Sequence, residues 1–304
     1  MFQRTLAQGR FTLALMTLFA AVAWLVLPPP FSWQLVGGLL ASAVSLYLLA
    51  ELNNAFVLLR INSRMISGTL ALLLAPAVML HELQAAHLIL LCSVVVYFPL
   101  LAAYQRPWAT TFVYLAFLVI GISSVPFPQF LHFLPICWIS LFVLRAWSLK
   151  AWVASLLGIL TPWCFLLTWA YCADQMPLFS ERFTSLMRID RPDFAAWTVL
   201  HFVVAGITLL HFLVGAIDFL LTKHLDKTRT RYHYYTALLH GAMAFAWLLL
   251  QPQYFPFIIP LCMTNAAMLS GHFAALSYGK IQNIIVCLFA VLTVAACVLA
   301  FLQV

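Results

Sequence analysis

Apolar residues in this chain come in long unbroken runs separated by short polar connections. Eleven such runs fall near 11–28, 34–58, 65–81, 86–104, 108–125, 129–146, 151–173, 196–221, 234–250, 254–272 and 281–303. A helix crossing about 30 Å of hydrocarbon needs roughly twenty residues, so runs of this length are read as membrane helices. A transmembrane barrel would instead show segments of about ten residues alternating apolar and polar positions, whereas these runs are longer and apolar on all sides. The pattern predicts an all-α polytopic transmembrane helix bundle of about 11 spans, a single integral membrane domain over 1–304. The runs use up nearly the whole chain, so function is expected within the bilayer or at its two surfaces.

Composition agrees. Hydrophobic residues make up 65% of the chain and charged residues 8%, against about a quarter charged in soluble domains, which excludes a water-soluble fold. Arg4 and Arg10 before the run at Phe11 resemble the start of a secretory signal. That run is long, ends in Pro28, Pro29 and Pro30, and leads to Trp33 rather than a small-residue cleavage site, so a retained first helix is expected.

The charges give a direction. Of 15 Lys and Arg residues, twelve sit in alternate connections: Arg4, Arg10, Arg60, Arg64, Arg106, Arg145, Lys150, Lys223, Lys227, Arg229, Arg231 and Lys280. The opposite connections, around Pro29, Glu82, Pro126 and Pro252, carry none. By the positive-inside rule the N-terminus is expected in the cytoplasm and the C-terminus in the periplasm. The formal charge of +7 then follows from loops facing anionic headgroups, and no nucleic-acid partner is expected. All seven cysteines, from Cys92 to Cys297, fall in apolar runs without Cys-x-x-Cys spacing, which predicts packing residues rather than a zinc site or disulfide framework.

The loop at 174–195 is the exception on the outer side, with Arg182, Arg188 and Arg191 facing Asp174, Glu181, Asp190 and Asp193. Within it Phe179, Phe183, Leu186 and Met187 recur at helical spacing, which predicts a short amphipathic interfacial helix. It either caps the bundle or flanks an outward site in which Arg182 and Arg188 hold an anion such as phosphate. Pro76, Pro99, Pro135, Pro162 and Pro260 fall inside runs, where proline kinks a helix. Such breaks can expose backbone to a transport cavity, although proline is in any case commoner in membrane helices than in soluble ones.

Ionisable groups in hydrocarbon cost at least a few kcal/mol, which singles out Glu51 and Asp218. Both are expected near the cytoplasmic side at comparable depth. His211 lies seven residues before Asp218 on the same face, Tyr47 and Asn54 flank Glu51, and His240 and Asn265 fall in the same half of the membrane. Packed together, Glu51, Asn54, His211, Asp218, His240 and Asn265 would form a polar, titratable cluster suited to a proton relay. Separately, each is an interhelical hydrogen-bonder or an interfacial group. On the outer side, His81-Glu82-x-x-x-x-His87 does not match the four-residue histidine spacing of a helical zinc site, so no metal is expected. No phosphate-binding glycine loop or nucleophile elbow occurs, so no cofactor is expected either.

Three stretches together resemble a known family: Asn53 to Arg64, Leu144 to Trp163 with its Arg and Trp before Gly-x-x-x-Pro, and Ile259 to Asn265. They are similar to an uncharacterised family of polytopic inner-membrane proteins of Gram-negative bacteria, a domain of unknown function, over most of the chain. The resemblance implies the bacterial inner (cytoplasmic) membrane and carries no activity. The leading functional expectation is transport or translocation of an amphiphilic or anionic envelope substrate, a lipid-linked precursor being one candidate. The alternatives are a polyprenyl-linked glycosyltransferase or ligase, and a non-catalytic subunit or scaffold with membrane-protein partners. Membrane lipids are the expected surroundings in every case. A polar cavity reaching Glu51 and Asp218 would favour transport, an outward pocket at 174–195 the transferase, and a filled bundle the subunit.

Overall fold

A computed structural model describes residues 2–9, 11–27, 31–188 and 190–303. Arg10 and Pro28 to Pro30 lie outside the described residues. The described chain is all-helical and contains no strand. Its helices are α1 (Phe2–Gln8), α2 (Thr12–Val26), α3 (Trp33–Phe56), α4 (Met65–Leu74), α5 (Ala85–Val95), α6 (Tyr97–Ala102) and α7 (Thr110–Ser124). They continue with α8 (Leu134–Val143), α9 (Leu149–Cys172), α10 (Met176–Ser185), α11 (Val199–Thr222), α12 (Thr228–Leu250), α13 (Phe255–Leu276) and α14 (Lys280–Gln303).

Each apolar run of the sequence carries at least one of these helices, but the helices differ in length. Among the described residues six are long and apolar enough to cross a membrane: Trp33–Phe56, Ala85–Ala102, Leu149–Cys172, Val199–Leu225, Pro252–Leu276 and Lys280–Gln303. Four more, Thr12–Val26, Met65–Leu74, Thr110–Ser124 and Pro128–Val143, are apolar but shorter. These apolar helices mark a membrane protein. Proline accounts for part of the shortening: α4 stops at Leu74, two residues before Pro76, and Pro135 stands at the start of α8. Pro162 and Pro260 remain inside the long helices α9 and α13.

The chain divides into two compact units, Met1–Leu91 with Pro192–Val304, and Cys92–Arg191. In the first, α13 is the central post. Every residue from Ile258 to Ala275 is buried, and α4, α11 and α12 pack against it. Two glycines permit the close approach. A Cβ on Gly215 would meet the Leu269 carbonyl carbon at 2.4 Å, and one on Gly271 the Ile66 Cα at 2.6 Å. Without hydrophobic drive between helices in lipid, small residues at such crossings give the backbone contact that replaces it.

In the second unit α7 packs along α9, tied by Trp163 Nε1 donating to Ser124 Oγ at 2.8 Å. The short helix expected in the 174–195 loop is α10. Phe179 and Phe183 set their rings edge-on to Trp163 at 6.2 and 6.4 Å, so its apolar face rests on α9.

Candidate functional site

Polar chemistry in the first unit gathers at one end, where α3, α11 and α13 finish and α12 begins. Its centre is Asp226, in the short link between α11 and α12. The Asp226 side chain is fully buried. Oδ2 accepts from His272 Nε2 at 3.0 Å, and Oδ1 faces Arg60 Nε at 3.1 Å. His272 is also fully buried, with Tyr234 edge-on to its ring at 4.6 Å. Arg60 is 36% exposed. Arg231 Nε donates to the Asp226 carbonyl at 3.0 Å and fixes the link itself. A buried carboxylate needs such partners, since an unpaired charge away from water costs several kcal/mol.

Three segments distant in sequence are thereby joined: Arg60 after α3, Asp226 after α11, and His272 in the last turns of α13. Asp218 lies beside them and accepts from Ser277 Oγ at 2.6 and 2.7 Å on its two oxygens. The Arg229 guanidinium lies 5.6 Å from the Phe56 ring and Lys223 Nζ 5.4 Å from the Tyr235 ring. The opposite end of the unit is aromatic. Trp197 Nε1 donates to the Pro252 carbonyl at 2.8 Å, and the Trp197 ring meets Phe194, Phe202 and Phe255.

The link from α3 to α4 carries Arg60 and Arg64, and Asn53 shapes it. Val57 leaves α3 at φ 49°, a left-handed conformation that a β-branched residue rarely adopts. The Asn53 carbonyl takes the Leu58 N–H at 3.3 Å, its Oδ1 the Leu59 N–H at 3.2 Å, and its Nδ2 donates to the Ser63 carbonyl at 3.0 Å. These bonds offset the strained turn and hold the link from inside, while the Arg60–Asp226 contact holds it from the other side.

Arg64 ends this link at the mouth of a cleft between α2, α3 and α4. The cleft has a volume of about 630 Å³ and reaches from Trp24, Leu39 and Leu74 to Leu13, Glu51, Asn54 and Arg64. Leu39 to Asn54 is fifteen residues of helix, about 22 Å at 1.5 Å per residue. Its walls are mainly Leu and Ala, interrupted by Ser42, Tyr47 and Thr17. The Ser42 hydroxyl is buried without a hydrogen-bond partner. A second, polar pocket of about 240 Å³ lies beyond, lined by Ala7, Gln8, Gly9, Asn62, Ser63 and Arg64. Arg64 lines both.

Of the residues expected to form one intramembrane cluster, Glu51 and Asp218 take different partners. Glu51 faces the cleft and accepts from Asn54 Nδ2 at 3.4 Å. Asp218 is held by Ser277 and does not line the cleft. His211 Nδ1 bonds the Ile207 carbonyl of its own helix at 2.9 Å, and its ring stacks on Phe289 at 3.8 Å. His240 is buried on α12, and Asn265 Nδ2 donates to the Leu261 carbonyl at 2.8 Å on α13. No hydrogen bond or ion pair joins Glu51 to Asp218 or to His211.

At α10, Arg182 Nη1 donates to the Pro126 carbonyl at 2.7 Å and the Val125 carbonyl at 3.4 Å, capping the end of α7. Arg188 pairs with Asp190 at 2.9 Å. His81 turns inward, stacks on Trp24 at 4.0 Å and bonds the Ala75 carbonyl at 3.2 Å. Among the described residues no group of three or more His, Cys, Asp or Glu side chains could hold a metal ion.

Asp226, His272, Ser277 and Asn53 were not singled out by the sequence reading. Asp226 sits in a connection expected to be aqueous, where an acid raises no alarm, yet it is the only acid in the basic run from Lys223 to Arg231. His272 is the last residue of its apolar run. Asn53 lies one residue and about 100° of helix from Asn54. Asn53 points inward and Asn54 is exposed. Comparison with protein-family models, curated proteins and solved structures finds no match to this chain.

Proposed function

We propose that this chain is a multi-pass membrane protein that binds a membrane amphiphile in the α2–α3–α4 cleft and carries it across part of the bilayer. The observation that carries the reading is the shape and chemistry of that cleft. It is within the usual size of a ligand site, long and apolar through about 22 Å, and edged at one end by Glu51, Asn54 and Arg64. An aqueous solute has nothing to bind along such walls. A hydrocarbon chain with a polar head matches them.

In the finer reading the chain crosses the membrane about eleven times, with its N-terminus in the cytoplasm and its C-terminus in the periplasm of a bacterial inner membrane. The Arg60–Asp226–His272 contact supports the parity, since it requires the ends of α3, α11 and α13 to share a side. An alternating path of eleven crossings puts them there. The concentration of Arg60, Lys223, Arg229 and Arg231 at that end fits the cytoplasmic surface. We favour this over the transferase alternative, since Arg182 caps a helix and Arg188 pairs with Asp190.

Reconstitution tests the reading. In vesicles carrying a fluorescent-headed phospholipid, the protein is expected to make inner-leaflet label reachable by an impermeant quencher faster than in protein-free vesicles. Ala43→Trp, which fills the cleft, should return the rate to the protein-free value. A wild-type rate equal to that of empty vesicles would refute translocation.

A further inference from the structure

We infer that the cleft takes a phospholipid whose head combines a phosphodiester with a primary ammonium, the phosphate lying on Arg64 and the amine on Glu51. This rests on the amphiphile reading above and assigns the chemistry of the occupant. Arg64 and Glu51 line the same cleft, yet no ion pair joins them. The Arg64 side chain has no hydrogen bond or ion pair among the described residues, and Glu51 has only the long contact from Asn54. Arg64 is exposed and Glu51 half-buried, so one cation and one anion stand open at the mouth of an apolar cleft, each free to take a polar partner from an amphiphile seated there.

The partner chemistry follows by elimination. A head with no charge leaves both groups unmatched. A purely anionic head answers Arg64 but brings like charge toward Glu51. A quaternary ammonium matches the Glu51 charge but has no N–H to donate, whereas a primary ammonium has three and makes the shorter, stronger charge-assisted bond. At the other site, the planar guanidinium fits two phosphate oxygens at once. The pocket of Gln8, Asn62 and Ser63 on the far side of Arg64 leaves polar room for the remaining oxygens, and the positive end of α4, which opens at Met65, adds to the field there. The hydrocarbon chain then runs from Arg64 along Leu46, Leu40 and Trp24.

Native mass spectrometry of delipidated protein with dioleoyl phosphatidylethanolamine, phosphatidylglycerol, phosphatidylcholine and dioleoylglycerol reads this directly. Phosphatidylethanolamine should be retained best. Arg64→Gln should weaken both it and phosphatidylglycerol by at least roughly tenfold, through loss of the charge-assisted contact, and Arg64→Lys, which keeps the charge but not the planar fork, should restore only part of that. Glu51→Gln should weaken phosphatidylethanolamine by a similar factor and leave phosphatidylglycerol unchanged or tighter. Phosphatidylglycerol or dioleoylglycerol held as tightly as phosphatidylethanolamine, or no change of preference in Glu51→Gln, would overturn the headgroup assignment. Ala43→Trp separates the two levels of the argument. If it abolishes retention of every lipid while the Glu51 and Arg64 variants do not discriminate, only the headgroup assignment falls. If it abolishes none, the cleft reading falls with it.

Discussion

Asp226 touches two basic side chains at nearly the same distance, and burial decides which contact matters. The Asp226 and His272 side chains are both wholly buried, whereas Arg60 is 36% exposed. Water and salt screen the Arg60 contact, which places it with surface pairs worth under about 1 kcal/mol. The His272 contact is a buried hydrogen bond to a charged group, worth about 1.5–3 kcal/mol. Removing the carboxylate also strands His272 Nε2, whose ring already has Nδ1 buried without a partner, so Asp226→Ala should cost about 3 kcal/mol. His272→Ala alone would lose ring contacts with Tyr234 and Phe219 as well, which is why the pair must be read by a double-mutant cycle. Unfolding of the detergent-purified protein by SDS titration, followed by tryptophan fluorescence, gives the energies. The Asp226–His272 coupling is expected to exceed the Asp226–Arg60 coupling by at least about 1 kcal/mol. Equal couplings, or an Asp226→Ala protein as stable as wild type, would refute the reasoning from burial.

Two glycines of α11 should respond in opposite directions. Gly215→Ala drives a methyl into the α13 backbone and should destabilise by about 1–3 kcal/mol, while Gly206→Ala, with nothing within 4 Å, should gain up to about 1 kcal/mol of helix propensity; SDS unfolding distinguishes them. Asn53→Ala removes two hydrogen bonds that restrain the strained Val57 turn. It should cost about 2 kcal/mol and speed proteolysis at the α3–α4 link, whereas Asn54→Ala should do neither. Arg182→Gln should lower stability by about 1 kcal/mol through loss of the α7 cap, with Arg188→Gln unchanged within error. Cysteine labelling in sealed vesicles should find positions near Arg229 reachable from the cytoplasmic side only and positions near Arg182 from the other side only.

The helices were legible because long apolar runs favour helix, and every run carries one, six of them among the described residues long and apolar enough to cross a membrane. Their lengths were less legible. Hydropathy continues through Pro76 and Val96 although the helices break there, and residue counting cannot see a break that keeps the chain apolar. The site was read only in part. Glu51 stood out as an acid in hydrocarbon, and it does line the cleft. Its joining with Asp218 assumed that helices of equal depth also share a face. In the structure α3 turns Glu51 toward α2 and α4, while Asp218 meets the last residues beyond α13. In the sequence Arg64 is only a topological marker, because its place between two cavities depends on helices distant from it in the chain.

The central claim is that a lipid chain occupies the cleft, and depth-resolved photolabelling tests it most directly. A phosphatidylethanolamine with a photoreactive group at the end of its chain, incorporated into nanodiscs with the protein, should label the deep end of the cleft at Trp24, Leu39 and Leu74. The account predicts that Ala43→Trp removes this labelling, and that the exposed apolar face of α14, at Ile284 and Val291, is labelled only at the background level of bulk lipid. Labelling spread evenly over α14 and the cleft, and unchanged by Ala43→Trp, would contradict it.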